Sequence, residues 1–379
     1  MICPEDSPPA TRPAARVPAL MDIPMTVTTP IPLTSDAILP GVSYDALRMT
    51  IRHLADSGLM TVEDDSDARL QVRTALGQGV FLPAGSGVKV TLEAMRPDQL
   101  QTLRSRLVER LTEAAPEAAA QLRWSDAAEI GGQPANFRLV TVEEARPLGG
   151  AFFRVRISAV DFALFDEDSI HFRLLLPAPE LAEPAWPWIA ENGATRWPGG
   201  DEALHKPVYT ARRVDAAAGE MTFDVFIHDG GRVTDWVRAV RPGTQVGLIG
   251  PGGGGIPATR DIRIFGDETA FPAIARIVET LPAEARGEVT LVCEDGADCA
   301  YPIPDHPGLA VTFLRRDEVP GLAELAMAER AGWTSRFLWL AGEKADAQAV
   351  RAAFKADGGD ADQSYIAAYW SRPRATRGA

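Results

Sequence analysis

Cysteine and histidine are scarce in this chain. Three cysteines in 379 residues, Cys3, Cys293 and Cys299, exclude a disulfide framework, and the five residues between Cys293 and Cys299 are not a zinc-knuckle spacing. They read as ordinary reduced thiols. The five histidines are scattered without an HExxH or comparable pattern, so no protein-held metal centre is expected. Basic residues are outnumbered, 38 Lys and Arg against 52 Asp and Glu. A formal charge of -14 argues against the basic face that a general nucleic-acid binder needs to release counterions from phosphate. Long apolar runs are missing too. None approaches the length that spans a bilayer, and the N-terminus lacks a basic segment followed by an apolar core. Neither a nucleic-acid nor a membrane partner is expected, and the cytoplasm is the expected compartment.

What is present is ordinary in proportion: 46% hydrophobic and 24% charged residues, over a length sufficient for two or three domains, describe a soluble globular protein. The expected architecture is multidomain. Residues 1–24, rich in Pro and Ala, read as a disordered leader, with Met21 or Met25 as alternative starts. Residues 25–130 read as a small α+β domain. Helical spacing of Leu47, Ile51, Leu54 and Leu59 ends at Gly58, hairpin-like alternation fills "ARLQVRTALGQGVFLPAGSGVKVTLEAM", and Leu100, Leu103, Leu107 and Leu111 mark an amphipathic helix. Residues 131–256 change texture to short β-rich runs between Pro, Gly and Asp turns, the pattern of an antiparallel β-barrel, interrupted by a long surface loop at 177–207. Residues 257–379 alternate strand and helix, which predicts a mostly parallel sheet in an α/β module.

Two short segments in the barrel region carry candidate chemistry. In "HKPVYTARRVD" the pair Tyr209–Thr210 places an aromatic ring beside a hydroxyl, a combination suited to covering one face of a flat heterocycle and bonding its edge. A tyrosine packed in a barrel wall fits the same pair. In "VFIHDGGRVTDW" a strand ends and a helix opens, so backbone N–H groups at Gly230 and Gly231, with Arg232, make a place for a pyrophosphate. A Gly-rich hairpin fits that segment equally.

Taken in order, "HFRLLLP", "PVYTAR", "HDGGRVTDW", "GPGGGG", "FGDETAFPAIARIVETLP", "LAGE" and "AAYW" resemble the siderophore-interacting proteins, flavin-dependent ferric-siderophore reductases of the ferredoxin-reductase-like superfamily. The resemblance covers the chain from about Phe137 to Trp370. It implies that the barrel holds FAD, that residues 257–379 receive NADPH or NADH, and that a ferric siderophore or other ferric chelate is the electron acceptor, with iron released as Fe(II). Tyr209 and Thr210 would be the catalytic pair at the flavin ring. Cofactor contacts would come from Lys206, Ala211, Arg212, Ile227, His228, Gly231, Arg232, Val233, Thr234 and Trp236, and from Gly266, Asp267, Glu268, Thr269, Ala270, Glu343, Tyr369 and Trp370. The family's motif carries Arg two residues before the tyrosine, against the flavin pyrophosphate. Here that position is Pro207, with Lys206 or Arg212 as substitutes, although a lysine lacks the arginine fork. Residues 25–130 resemble a small domain of uncharacterised function found fused to such reductases, and its partner is unknown.

The resemblance also bears on the acidic turn "GDETA", which stands where a nucleotide-binding turn usually carries glycines. Two carboxylates there are expected to weaken dinucleotide binding, so that Asp267→Asn lowers the apparent Michaelis constant; simple helix capping is the alternative. Lys206, Arg213, Arg372 and Arg374, with Arg377 nearby, are the candidate contacts to an anionic chelate. Arg315 and Arg316, at a strand end, are candidates for meeting a 2′-phosphate. Competing functions are a flavin reductase with another acceptor and a non-enzymatic siderophore- or flavin-binding carrier.

Overall fold

The computed structural model describes residues 32–55, 60–126, 130–149, 151–166 and 169–372. The leader at 1–24, Cys3, Gly58, Leu59, Arg374 and Arg377 lie outside the described residues.

In the N-terminal part, period-two alternation puts Val88, Val90, Leu92 and Ala94 on the inner face of one strand, and a five-stranded antiparallel sheet is built around it. The strands are β1 (Leu33–Pro40), β2 (Thr61–Asp65), β3 (Leu70–Thr74), β4 (Gly77–Ala84) and β5 (Gly87–Ala94), in spatial order β1-β5-β4-β3-β2. Helix α1 (Tyr44–Ala55) follows β1, and α2 (Pro97–Ala114) and α3 (Pro116–Gln121) follow β5. Leu100, Leu103, Val108 and Leu111 of α2 share a core with the inner face of the sheet. Strand β1, "LTSDAILP", carries no alternation strong enough to announce it in the sequence; pairing with β5 over its full length creates it.

The middle part is a seven-stranded antiparallel sheet: β6 (Phe137–Gly149), β7 (Phe152–Ser158), β8 (His171–Leu175), β11 (Val208–Thr210), β12 (Arg213–Asp215), β13 (Glu220–Phe226) and β14 (Gln245–Gly252), in the order β11-β8-β14-β6-β7-β13-β12. It closes on itself at the two residues joining its edge strands. Ala211 N donates to Ile170 O next to β8, and Arg212 N donates to Thr222 O of β13. Closure leaves no open edge to aggregate. Helix α4 (Arg232–Ala239) follows β13.

The stretch expected as a long surface loop at 177–207 is instead a packed connection. It holds the two-stranded pair β9 (Trp188–Ile189) and β10 (Thr195–Arg196), and it buries Ile189, Asn192, Ala194 and Leu204. Trp124 Nε1 donates to Asn192 O at 2.9 Å, Asn192 Nδ2 to Ala119 O at 3.0 Å, and Gln101 Nε2 to Gly193 O at 2.9 Å. These bonds, with Ala194 in the core under the N-terminal sheet and Leu204 packed with Phe137, Leu175 and Ile249, join the N-terminal part to the barrel.

The C-terminal part is a parallel sheet of β15 (Asp261–Asp267), β16 (Arg286–Cys293), β17 (Leu309–Arg315), β18 (Phe337–Glu343) and β19 (Ser364–Trp370), ordered β17-β16-β15-β18-β19. Helix α5 (Phe271–Thr280) packs on one face; α6 (Leu322–Ala328) and α7 (Lys344–Ala356) pack on the other. Strand β15, the centre, is buried on both faces from Ile262 to Asp267. Helix α6 ends at Ala328, and a 3-10 turn through Arg330–Ser335 then carries Trp333 into the core.

Candidate functional site

In an open parallel sheet the order of strands reverses at one point, and ligands collect outside the carboxyl ends there. In this chain that point is between β15 and β18, and the barrel's β8 and β11 face it. The space between is a cleft of about 520 Å³, within the usual range of ligand pockets. The barrel contributes Phe172, Tyr209, Thr210, Phe226 and His228; the C-terminal module contributes Glu268, Thr269, Pro272, Tyr365, Tyr369 and Trp370. Thr102, Arg106 and Asn136 border the same cleft from the N-terminal side.

Strand register sets the barrel wall. β11 runs antiparallel to β8 with Val208 opposite Arg173, Tyr209 opposite Phe172 and Thr210 opposite His171. The half-buried Tyr209 ring meets Phe223 at 5.5 Å and Phe172 at 6.5 Å between centroids while also bordering the cleft. It is thus neither sealed in the barrel core nor free of it. Burial raises its phenol well above the usual value, so the ring stays neutral.

His171 is the residue that the sequence pattern did not single out. Its Nδ1 lies 3.2 Å from Thr210 Oγ1 and its Nε2 lies 3.0 Å from Tyr369 OH. Burial, with the Arg276 guanidinium as a second cause, pushes its pKa down to about 4. A neutral imidazole donates from one ring nitrogen and accepts at the other. It therefore bridges a barrel hydroxyl to a phenol on the last strand. The one signal available beforehand was a histidine heading an otherwise apolar strand, "HFRLLLP", and only the register shows that it faces Thr210.

The acidic turn turns out to be occupied by protein donors. Asp267 accepts from Thr269 N at 3.0 Å, from the Thr269 hydroxyl, and from Trp370 Nε1 at 2.7 Å. Glu268 pairs with Arg316 and accepts from Glu294 N at 3.1 Å. Desolvation raises the pKa of both carboxyls. Asp267 caps the turn and pins the C-terminal indole, which favours the capping alternative over simple repulsion of a dinucleotide. Arg316 is thereby committed to Glu268, and Arg315 to Asp317 at 2.9 Å, rather than standing free for a 2′-phosphate.

Of the sequence-derived candidates, Tyr209, Thr210, His228, Glu268, Thr269, Tyr369 and Trp370 line the cleft. Others are engaged elsewhere. Arg212 and Arg213 both bind Glu279 of α5, and the Ala211 carbonyl accepts from Arg276, so these three tie barrel to C-terminal module. The Lys206 ammonium sits 4.1 Å above the Trp197 ring. Arg232 Nη2 donates to Pro177 O at 2.9 Å, while Ile227, Val233 and Trp236 pack into the barrel core. Thr234 Oγ1 accepts from His228 N at 3.3 Å, holding the loop that contains Gly231 against the start of α4. Gly266 and Ala270 serve packing: a Cβ on Gly266 would meet Ile274 Cδ1 at 2.5 Å and Ala270 Cβ at 3.0 Å. Glu343 caps α7 through Ala345 N at 2.6 Å and accepts from Arg372 N at 3.2 Å. Among the described residues no cluster of three or more His, Cys, Asp or Glu is arranged to hold a metal.

The cleft's chemistry fits a flavin. One wall is aromatic and apolar, suited to a flat ring. Asn136 Oδ1 borders the cleft as a buried acceptor without a hydrogen-bond partner, and a flavin brings ring N–H and ribityl hydroxyl donors. The N-terminus of α4, preceded by Gly230 at φ 73°, lies beside His228 at the cleft border.

Comparison with known proteins agrees. Residues 141–255 match the model of the siderophore-interacting FAD-binding domain, and residues 259–373 that of the siderophore-interacting protein. Ferric vibriobactin reductase ViuB of Vibrio cholerae is 30% identical over 250 residues, 62% of this chain and 89% of that protein. The NADPH-dependent ferric-chelate reductase of Escherichia coli is 28% identical over 243 residues, 62% of this chain and 92% of that protein. A mycobactin import ATP-binding/permease protein, IrtA of Mycobacterium tuberculosis, is 29% identical over 47% of this chain, which spans 21% of that much longer relative. Among solved structures, a siderophore utilization protein from T. fusca superposes with TM-score 0.54 at 27% identity, covering 65% of this chain and 97% of its own. With both models matched in sequence order and a relative of 30% identity matched over 89% of its length, the chain belongs to the siderophore-interacting protein family.

Proposed function

We propose that this chain binds FAD in the cleft, oxidises NAD(P)H, and reduces ferric iron held by a siderophore or similar chelate, releasing it as Fe(II) in the cytoplasm. The observation that carries this is the cleft itself, walled by Tyr209, Thr210 and His171 on the barrel and by Thr269, Tyr369 and Trp370 on the α/β module. Domain roles follow that division: residues 131–256 hold the flavin and residues 257–379 receive the dinucleotide. Bound FAD supplies the conversion of a two-electron hydride into single-electron deliveries to iron.

The protein's own residues bind and orient. The Tyr209 ring covers one side of the flat heterocycle, backed by Phe172 and Phe223 so that it cannot tilt away. The Thr210 hydroxyl is held at the ring edge by His171, which in turn is held by Tyr369. Since His171 is neutral near pH 7, this chain of groups passes a hydrogen bond across the cleft without placing a charge there. NADPH is the first donor to test, because the matched Escherichia coli reductase is named for it.

The test is spectroscopic. Purified or FAD-reconstituted protein is expected to be yellow, to bleach under nitrogen with NADPH or NADH, and to regain colour on addition of a ferric siderophore. Recovery with oxygen or a quinone but with no ferric chelate replaces the acceptor in this assignment. Protein that takes up no FAD removes the redox function altogether.

A further inference from the structure

The charges that border the cleft do not balance. Its two acids are matched: Asp224 is bound by Arg154 at 2.7 and 2.8 Å, and Glu268 by Arg316. Two arginines remain. Arg173 donates to a neutral carbonyl, Lys206 O, at 3.2 Å and so keeps its charge uncompensated. Arg106 is exposed at the cleft, and its side chain makes no hydrogen bond or ion pair with the described residues. On a chain of net charge -14 a pair of unmatched guanidinium groups in a concave site is an anion site in charge and geometry.

Register places Arg173 at a definite level. Arg173 stands opposite Val208, next to Pro207, the position where the sequence lacks an arginine. Arg106 reaches the same cleft from α2 of the N-terminal domain. It lies one helical turn after Thr102, so both share a face. Thr102 accepts from Asn136 Nδ2 at 3.2 Å, and Asn136 O accepts from Gly250 N at 3.0 Å, which locks that face of α2 to the end of β14. Glu109, further along α2, acts on Lys206.

We propose that Arg106, together with Arg173, binds the pyrophosphate of FAD, so that the fused N-terminal domain completes the cofactor site. This rests on the FAD assignment above. Two fixed positive charges match the two negative charges of a pyrophosphate, and the arginine that the barrel lacks at position 207 is supplied from the neighbouring strand and the neighbouring domain.

The experiment is a fluorescence-quenching titration of flavin-stripped full-length protein with FAD and with riboflavin, which has no phosphate. Arg106→Ala is expected to weaken FAD binding roughly tenfold to a hundredfold, the loss of one charge-assisted hydrogen bond, with riboflavin binding unchanged. Arg106→Lys is expected to recover part of the loss. Arg110→Ala, which removes an exposed pair with Glu113 on the same helix, is the control and is expected to bind FAD as the parent does. Equal FAD affinity in parent and Arg106→Ala overturns the proposal, all the more if binding of an anionic ferric siderophore falls instead. Equal weakening of FAD and riboflavin overturns it too, since Arg106 would then act through domain packing. If the parent itself binds no FAD, the underlying assignment fails rather than the role of Arg106.

Discussion

His171→Gln should remove a specific part of this protein's acid sensitivity. In the unfolded chain an imidazole titrates near 6.5, whereas burial beside Arg276 holds His171 at about 4 in the fold. As pH falls through 6.5 the unfolded state takes up a proton that the folded state refuses, so stability present in full above that value is lost progressively down to about 4. At pH 5.5 the cost is about 1.4 kcal/mol, rising to about 3 kcal/mol below pH 4. Glutamine cannot titrate and retains a side chain able to bond Tyr369. Urea unfolding of flavin-stripped protein, followed by tryptophan fluorescence at pH 7.5 and 5.5, isolates the effect. The parent should lose about 1 kcal/mol more than the variant between those pH values. Asp267 and Glu268, whose carboxyls are raised, contribute in the opposite sense but equally to both proteins. An identical loss in parent and variant would show that His171 is protonated in the fold and would refute the neutral bridge between Thr210 and Tyr369.

Asp267→Asn should cost about 1 kcal/mol of stability, as loss of a charged cap does, and loosen Trp370, visible as a red shift of its emission. A lower Michaelis constant for NAD(P)H with unchanged stability would restore the repulsion explanation. Tyr301→Phe removes the phenol that donates to buried Asp224 at 2.7 Å across the boundary between the C-terminal module and the barrel, and should cost about 1–2 kcal/mol in urea unfolding. An unchanged midpoint would mean that solvent replaces that bond. Tyr209→Phe should leave FAD binding intact, whereas Tyr209→Ala should weaken it about tenfold in a flavin-fluorescence titration by removing the stacking face. Equal affinity in both would place the ring away from the flavin.

Much of the architecture was legible because it depends on local pattern. Alternation in "GVKVTLEA", the leucine face of "PDQLQTLRSRLVERLTEA" and the strand–helix alternation after residue 260 are properties of neighbouring residues, and neighbouring residues determine pleat and helix face. Motif order sufficed to place Tyr209, Thr210, His228, Thr269, Tyr369 and Trp370, which the fold brings to one cleft. Strand β1 and the docked segment at 177–207 were not legible, since each is held by partners far away in sequence.

By itself, then, the amino-acid order determined most of the elements, the family they belong to, and several of the aromatic and hydroxyl side chains that line the cleft. Only the tertiary structure decided how charges pair. Arg212 and Arg213 went to Glu279, Arg316 to Glu268, and Trp370 to Asp267, leaving Arg106 and Arg173 unmatched at the cleft. The physical reason is range. Periodicity acts between residues a few positions apart, whereas a guanidinium on a long stem takes whichever carboxylate the packed chain brings within reach, and sequence distance does not encode that choice.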